Sequence, residues 1–568
     1  MAMSNNVRKL LEERVARYGG KVFLISGSDG REWSYAEFDA AVNRTANMLL
    51  ARGIGKGDVV SLLLPNSPEY IIAYFACWKI GALAGPVNSL LKSEEIEWVV
   101  GNSESKLMLV GGDWSGEHPA RLNQSRVAYA GGTGVASRML AAPVVLFANV
   151  YEATKDFSDE LDYVEIDADD DAIIIYTSGT TGKPKGCLLT HGNLIANARQ
   201  IAEWMSFGTD DRLLTVMPLF HMNAVSVTTM TALYAGGSTV VAPKFSASRF
   251  WGIIEKYKIT SFGSVATMLS MLLAKSEPPA SAGGKRAGSV SDLRNKTAFD
   301  ARPLPPAHAG GSDRPSSLRF AMCGSAPVPA EVLKKFEETF GCLVIEGYGL
   351  SESTCRSTFN PPNESRRPGS CGQPIGNEMK VVDDDDNEVP DGELGEIVLR
   401  GANICKAYFK NPEATEKTFR GGWFHTGDIG YRDADGFFFI ADRKSDMIIR
   451  GGENIYPREI DGVLYTHPAV EAAAVIGVPD ELYGEEVAAF VVLKNGFKSS
   501  PPYEGGVNAA LDGRGGSLIT AADLIEFCKL YLADYKCPKT IHFLDEIPKG
   551  PTGKLLKREL AKLFSPAI

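Results

Sequence analysis

Ile173-Ile-Ile-Tyr-Thr-Ser-Gly-Thr-Thr-Gly-Lys-Pro-Lys-Gly186 decides how the rest of the chain is read. The apolar run Asp171 to Tyr176, bounded by acids and by turn residues, reads as a short buried strand. The loop after it holds three glycines, which let backbone N–H groups converge on a ligand because no Cβ stands in the way. Thr177, Ser178, Thr180 and Thr181 add hydroxyls, and Lys183 and Lys185 add positive charge. These are the parts of a polyphosphate cradle. It is not a Walker A loop, because only Thr180 and Thr181 separate Gly179 from Gly182-Lys183. Pro184 also disfavours a helix starting at Lys183.

Around this stretch the chain has 568 residues, too many for one core, so two or more domains are expected. With 59 Lys+Arg against 70 Asp+Glu the net charge is −11, which gives nucleic-acid binding no bulk electrostatic support. Nine scattered cysteines, with no C-x-x-C pair, argue against a disulfide framework or a metal cluster and fit a reducing, cytoplasmic setting. No secretory signal is apparent at the N-terminus. Tyr70 to Val87 is the most apolar long stretch, but Lys79, Gly81 and Pro86 interrupt it. It reads as a buried helix followed by a strand, not a membrane span.

Local signals then alternate. Ser34-Tyr-Ala-Glu37 is a capping box ahead of a helix, Val59 to Leu64 a strand, Ser67-Pro68 the start of a helix, and Ala82 to Val87 a strand. Such alternation predicts an α/β fold with largely parallel sheet. Three stretches break it: Ser115 to Leu146, Pro278 to Ser317 and Asn495 to Ser517. Their composition reads as exposed loop or disorder.

Further segments follow in order: Pro218-Leu-Phe-His-Met222, Met322-Cys-Gly-Ser-Ala-Pro327, Val344-Ile-Glu-Gly-Tyr-Gly-Leu-Ser-Glu-Ser353, Gly422-Trp-Phe-His-Thr-Gly-Asp428, Gly436-Phe-Phe-Phe-Ile-Ala-Asp-Arg443, Ser445-Asp-Met-Ile-Ile-Arg-Gly-Gly-Glu-Asn-Ile-Tyr-Pro457 and Pro548-Lys-Gly-Pro-Thr-Gly-Lys554. Read alone, His221 is a packed residue at a strand end, and Gly324 and Ser325 allow backbone to approach a flat ligand. Tyr348 can stack on a purine, Ser351 offers a hydroxyl, and Glu352 is a hard oxygen ligand suited to Mg²⁺.

Together with the glycine loop, these segments resemble the adenylate-forming superfamily, whose members include acyl-CoA synthetases, luciferases and peptide-synthetase adenylation domains. The resemblance covers nearly all the chain from about residue 30, apart from the three spacers. It implies a large N-terminal domain of mixed and parallel sheets wrapped by helices, residues 1–441, and a small mobile α+β C-terminal domain, residues 446–568. It implies that Thr177, Ser178, Gly179, Thr180, Thr181, Gly182, Lys183, Lys185, Gly324, Ser325, Ala326, Glu346, Gly347, Tyr348, Gly349, Ser351, Asp428, Ile440 and Arg443 bind nucleotide, with Asp428 on the ribose hydroxyls. Glu352 would hold Mg²⁺, and Lys554, Glu352 and Thr177 would be catalytic. His221, Ser264, Val265, Thr267 and Cys323 would line the acyl pocket, and Gly451, Gly452 and Glu453 the coenzyme A channel. Ser445 takes the hinge position, where the family commonly has Asp or Lys.

The implied reaction uses ATP, Mg²⁺ and coenzyme A to turn a carboxylic acid into an acyl-adenylate and then a thioester, releasing pyrophosphate and AMP. A fatty acid is the first expectation for the acid, an aryl or small acid the second. No carrier domain follows Ile568, which favours coenzyme A over a carrier protein as acceptor. A non-catalytic acyl-nucleotide-binding relative is the reading from another class. The partners expected are small molecules only, with no nucleic acid and no membrane span, and with a homodimer as the candidate assembly.

Overall fold

The computed structural model describes residues 4–111, 142–177, 184–276, 317–324, 328, 330–499, 517–548 and 555–562. The deciding strand runs Asp171–Thr177, with Ala172, Ile173, Ile174 and Ile175 buried. It pairs antiparallel with Lys185–Thr190, and Thr177 faces Lys185 across the ladder. The strands on either side of the glycine loop are thus antiparallel neighbours.

This hairpin lies in a seven-stranded sheet running Ala407–Tyr408, Lys185–Thr190, Asp171–Thr177, Leu83–Pro86, Val59–Leu63, Leu107–Val110 and Val144–Leu146. From Asp171–Thr177 to the last strand all neighbours are parallel. The capping box at Ser34 forms, with Glu37 accepting from the Ser34 amide at 2.8 Å. Ser67 caps Pro68–Lys79, a helix buried along its whole length. Among the described residues no helix is long and apolar enough to cross a membrane.

A second seven-stranded sheet runs Leu343–Glu346, Phe320–Cys323, Ser261–Ser264, Arg212–Thr215, Ser238–Val241, Val22–Ser26 and Glu32–Ser34, parallel except for the last pair. One large apolar core, containing Phe38, Tyr74, Trp78, Ile173, Leu214 and Phe262, joins the helices to both sheets. A smaller antiparallel sheet follows, built on Trp423–Arg432. Beyond residue 445 a separate core, with Ile448, Leu464, Val475, Val487 and Leu524, sits on a sheet centred on Gly484–Leu493 and Val470–Asp480. The protein is thus α/β, with a large N-terminal domain and a smaller C-terminal one. All nine cysteines are free thiols.

Two spacers are less structureless than their composition suggests. Val144–Leu146 adds a parallel strand to a sheet edge, and Phe497–Ser499 pairs with Ser517–Ile519. Their apolar and β-branched ends find partners that local composition does not reveal. Residues 278–316, like the middles of the other two, lie outside the described residues.

Candidate nucleotide and acid site

Three neighbouring parallel strands end side by side. Ser264 is the register partner of Cys323, and Cys323 that of Glu346. Carboxyl ends of parallel strands are where ligands bind in such sheets. The chain then leaves each strand through Val265, Gly324 and Gly347. The cleft above them, about 110 Å³, is lined by Gly324, Glu346, Gly347, Tyr348, Gly349, Asp428, Ile440 and Arg443, expected from sequence at the nucleotide, by Cys323, expected at the acyl pocket, and by Val328, Leu350, Gly369, Ser370 and Cys371, which were not singled out. Arg458 reaches the same cleft from the C-terminal unit. It follows Pro457 at the end of a longer motif and carried no sequence signal of its own.

Glu352 sits in the tight turn Ser351–Ser353. Its Oε1 accepts from Tyr408 Oη at 3.0 Å and Thr177 Oγ1 at 3.3 Å. Cys405 N donates to the Glu352 carbonyl at 2.7 Å, which ties the turn to the strand Ala407–Tyr408. Lys185 Nζ lies 5.4 Å from the centre of the Tyr408 ring. Tyr408, absent from the motif reading, thus braces the carboxylate from a remote strand.

In the lining of the cleft, Asp428 and Arg443 face each other on antiparallel strands. Tyr348 Oη donates to Asp428 Oδ2 at 2.5 Å, and Arg443 Nε stands 3.4 Å from Asp428 Oδ1. Burial, and then the Asp428 charge, push the Tyr348 phenol well up, so it stays a donor. Glu346 is buried and accepts the Gly369 amide at 3.0 Å; burial raises its carboxyl to about 7.

The glycines of this wall are needed for protein packing. A Cβ at Gly347 would stand 2.4 Å from Phe359 Cδ1, and one at Gly349 2.0 Å from the Cys355 carbonyl oxygen. One at Gly324 would stand 2.6 Å from Arg356 Nη2 and 2.7 Å from the Gly347 carbonyl oxygen.

The acid side is built differently. His221 follows the strand Arg212–Thr215 and precedes a π-helix, Asn223–Met230, a form that recurs at functional sites. Burial pushes His221 down to about 4, so the ring is neutral at pH 7, and its Nε2 has no hydrogen-bond partner. Ser264 uses its hydroxyl on the Met322 carbonyl at 3.0 Å. Val265 and Cys323 are buried and Thr267 is half-buried.

Asp442 is 1% exposed and accepts the Arg443 amide and the Arg458 amide, each at 2.8 Å. It holds the C-terminal helix Pro457–Thr466 to the large unit. Ser445 is exposed and donates to Asp446 Oδ1 at 3.1 Å. Gly451 and Gly452, at φ +59° and +91°, turn an exposed hairpin whose Arg450 pairs with Glu486 at 2.6 and 2.9 Å. Glu453 is exposed on the same hairpin. Ser178, Gly179, Thr180, Thr181, Gly182, Lys183, Ser325, Ala326 and Lys554 lie outside the described residues.

The description "AMP-binding enzyme" matches residues 11–409, and "AMP-binding enzyme C-terminal domain" matches residues 459–554. The sulfoacetate–CoA ligase of Cupriavidus necator is 33% identical over 553 residues, 97% of this chain and 96% of the relative. The oxalate–CoA ligase of Arabidopsis thaliana is 32% identical over 99% of this chain and 98% of its own length. ATP-bound MatB from Rhodopseudomonas palustris superposes with a TM-score of 0.81 at 27% identity, over 99% of both chains. The o-succinylbenzoate CoA synthetase of Bacillus subtilis, solved with its acyl-adenylate intermediate, does so at 0.77 and 30% identity, over 97% of both chains. On the family match and this site, the chain belongs to the AMP-binding enzyme family and is an adenylate-forming acid–thiol ligase of the acyl-CoA synthetase kind.

Proposed function

We propose that this chain activates a compact, polar carboxylic acid with MgATP and transfers the acyl group to coenzyme A, using one cleft for both steps. The observation that carries this reading is two braced carboxylates: Asp428, which lines the cleft and is held by Tyr348 and Arg443, and Glu352, in the turn just after the cleft residues Tyr348 to Leu350 and held by Thr177 and Tyr408. Asp428 suits ribose hydroxyls, since a carboxylate accepts two hydrogen bonds. Thr177 and Lys185 stand at the two feet of the glycine loop, where the hydroxyl and charge of a phosphate site belong. Among the described residues no cluster of three or more His, Cys, Asp or Glu could cage a metal. A single carboxylate at Glu352 fits Mg²⁺, which takes one or two protein oxygens and fills the rest from water and phosphates. Bound there, Mg²⁺ supplies neutralising charge. Lys554 is proposed to reach the α-phosphate, and Gly451 and Gly452 to flank the thiol's path. The small domain, beginning near Ser445, turns between the steps.

A small polar acid is favoured over a fatty acid because His221, expected on the acid side, and the buried Asn223 and Arg356 carry polar atoms without partners. Relatives named for sulfoacetate and oxalate ligation agree with that choice, and one named for ferulate keeps the aryl reading in play. The test is ATP–pyrophosphate exchange with a panel of small, aryl and fatty acids, followed by AMP release on adding coenzyme A. Exchange without any thioester would move the acceptor to a carrier protein. A protein that binds nucleotide but exchanges with no acid would be the non-catalytic relative.

A further inference from the structure

Arg356 is 1% exposed, yet neither its Nε nor its Nη2 has a hydrogen-bond partner. Among the described residues its guanidinium makes one hydrogen bond, a long one from Nη1 to the Cys355 carbonyl at 3.4 Å, and its guanidinium carbon lies 5.4 Å from the centre of the Phe359 ring. Among the described residues no carboxylate pairs with it. Removing a guanidinium from water without a counter-charge is costly, and proteins pair such groups or leave them for a charged ligand. The backbone is bent to place it there. Thr354 and Cys355, between Glu352 and Arg356, both have positive φ, +59° and +130°, which non-glycine residues rarely adopt. Strain of this kind collects at ligand sites.

The guanidinium packs against Gly324, a residue of the cleft lining. Nη2 occupies the space beyond Gly324, at the end of the strand Phe320–Cys323. On the neighbouring strand, Gly263 has Asn223 in the same relation: a Cβ there would lie 2.5 Å from Asn223 Oδ1. Asn223 is buried, and both its Nδ2 and its Oδ1 are unpaired. Gly263 pairs in register with Met322, two residues before Gly324, so both missing side chains point to one face of the sheet. Asn197 fastens the two elements together, accepting from Ser226 of the π-helix at 2.8 Å and donating to the Arg356 carbonyl at 2.7 Å. Two glycines thus make room for two orphaned polar side chains at the carboxyl end of the sheet, beside the nucleotide cleft.

We infer that Arg356, with Asn223 beside it, receives a second anionic group on the acid substrate, so that the enzyme selects carboxylic acids bearing a further carboxylate or sulfonate. This rests on the acid-activating function proposed above. A planar guanidinium matches the oxygen pairs of either group in two-point fashion, and Asn223 can donate to a third oxygen or to bound water. An acid lacking the second charge would leave both side chains buried and unpaired, which is how a polar pocket rejects an apolar analogue.

The test is a matched panel in ATP–pyrophosphate exchange: malonate against propionate, succinate against butyrate, and 3-sulfopropanoate against butyrate. The wild type is expected to favour the doubly charged member of at least one pair by about a hundredfold in kcat/KM. Which pair responds separates carboxylate from sulfonate. Arg356→Met is expected to bring that ratio to about one while AMP binding by calorimetry stays within about twofold, and Arg356→Lys to recover part of it. Preference of the wild type for the singly charged acid in every pair overturns the inference, and that result stands even if Arg356→Met fails to fold. So does a ratio unchanged in Arg356→Met, or a loss confined to AMP affinity, which would put Arg356 on the nucleotide instead. Failure of every acid, charged or not, to support exchange sinks the proposed function itself and this inference with it.

Discussion

The two halves of the cleft treat their polar groups in opposite ways. Among the described residues of the nucleotide side both carboxylates already have partners within the protein: Glu352 has Thr177 and Tyr408, and Asp428 has Tyr348 and Arg443. On the acid side His221, Asn223 and Arg356 keep nitrogens or oxygens unpaired in buried surroundings. A preformed set of partners suits a ligand common to every turnover, because the groups must not reorganise while charge moves. Unpaired groups suit discrimination, because only the correct ligand relieves their desolvation. On the roles proposed above, the difference separates the part of the site that performs chemistry from the part that selects what undergoes it.

Glu352→Gln is the strongest attack on the first half. It keeps the shape and the two hydroxyl contacts but removes the charge. Adenylation is expected to fall about a hundredfold or more, with its Mg²⁺ dependence shifted to higher concentration and the melting temperature little changed. An unaltered Mg²⁺ titration would remove Glu352 from the metal site.

Gly324→Ala strikes both halves at once. The new methyl would press on Arg356 Nη2 and on the Gly347 carbonyl, and the second is backbone that cannot swing away. Overpacking of this sort costs about 1–3 kcal/mol. The effect should appear in the KM for the acid and in melting temperature together. A loss confined to the KM for ATP would mean that Arg356 yields freely and only the nucleotide wall is felt.

Ser445→Pro tests whether the two halves are served by one moving domain. Proline fixes φ at the exposed junction, just beyond the Asp442 bonds to the Arg443 and Arg458 amides. Thioester formation from supplied acyl-adenylate is expected to slow by about tenfold and adenylation to change less. Equal slowing of both half-reactions would take Ser445 out of the hinge.

How far the site could be read from sequence follows the same division. The nucleotide half was legible because its residues arrive in long strings, such as Gly347-Tyr-Gly-Leu-Ser-Glu352, and because strand ends and helix caps are local: the capping box of Ser34 with Glu37, and Ser67 capping a helix that opens on Pro68. Its supporting partners were not. Tyr408 meets Glu352 only because a two-residue strand adds to the edge of a sheet begun far earlier in the chain. Gly324 was read as room for a ligand's approach, and the atoms that need the room at Gly324, Gly347 and Gly349 belong to Arg356, Phe359 and Cys355. Arg356 itself lies four residues beyond Glu352, in the hydroxyl-rich run Ser-Thr-Cys-Arg-Ser-Thr, and a lone arginine there would ordinarily be solvated. Only the fold shows that it is buried and unpaired.

The smallest expected effect sits on the boundary between the halves. Glu346 ends the strand Leu343–Glu346, in the cleft but away from the proposed metal. Burial raises its carboxyl from 4.5 to about 7, while the Gly369 amide and then Arg366 draw it back and Glu337 adds to the rise. Below pH 4.5 the group is protonated whether the chain is folded or not, so it contributes no pH dependence. Between 4.5 and 7 the folded state keeps a proton that the unfolded state has released, so stability falls as pH rises; above 7 the whole penalty is present. A shift of this size bounds the penalty at roughly 3 kcal/mol. Glu346→Gln gives up the charge-assisted bond to Gly369, which leaves a net gain of about 1 kcal/mol at pH 8. The variant should therefore melt about 1–2 °C above the wild type at pH 8 and level with it or below it at pH 5. AMP bound at saturation should narrow the gap if the nucleotide's own donors meet the Glu346 carboxylate. Melting curves of wild type and variant that run parallel from pH 5 to 8 would mean that Glu346 does not change protonation there, and that the boundary between the two halves is as fully partnered as the nucleotide wall.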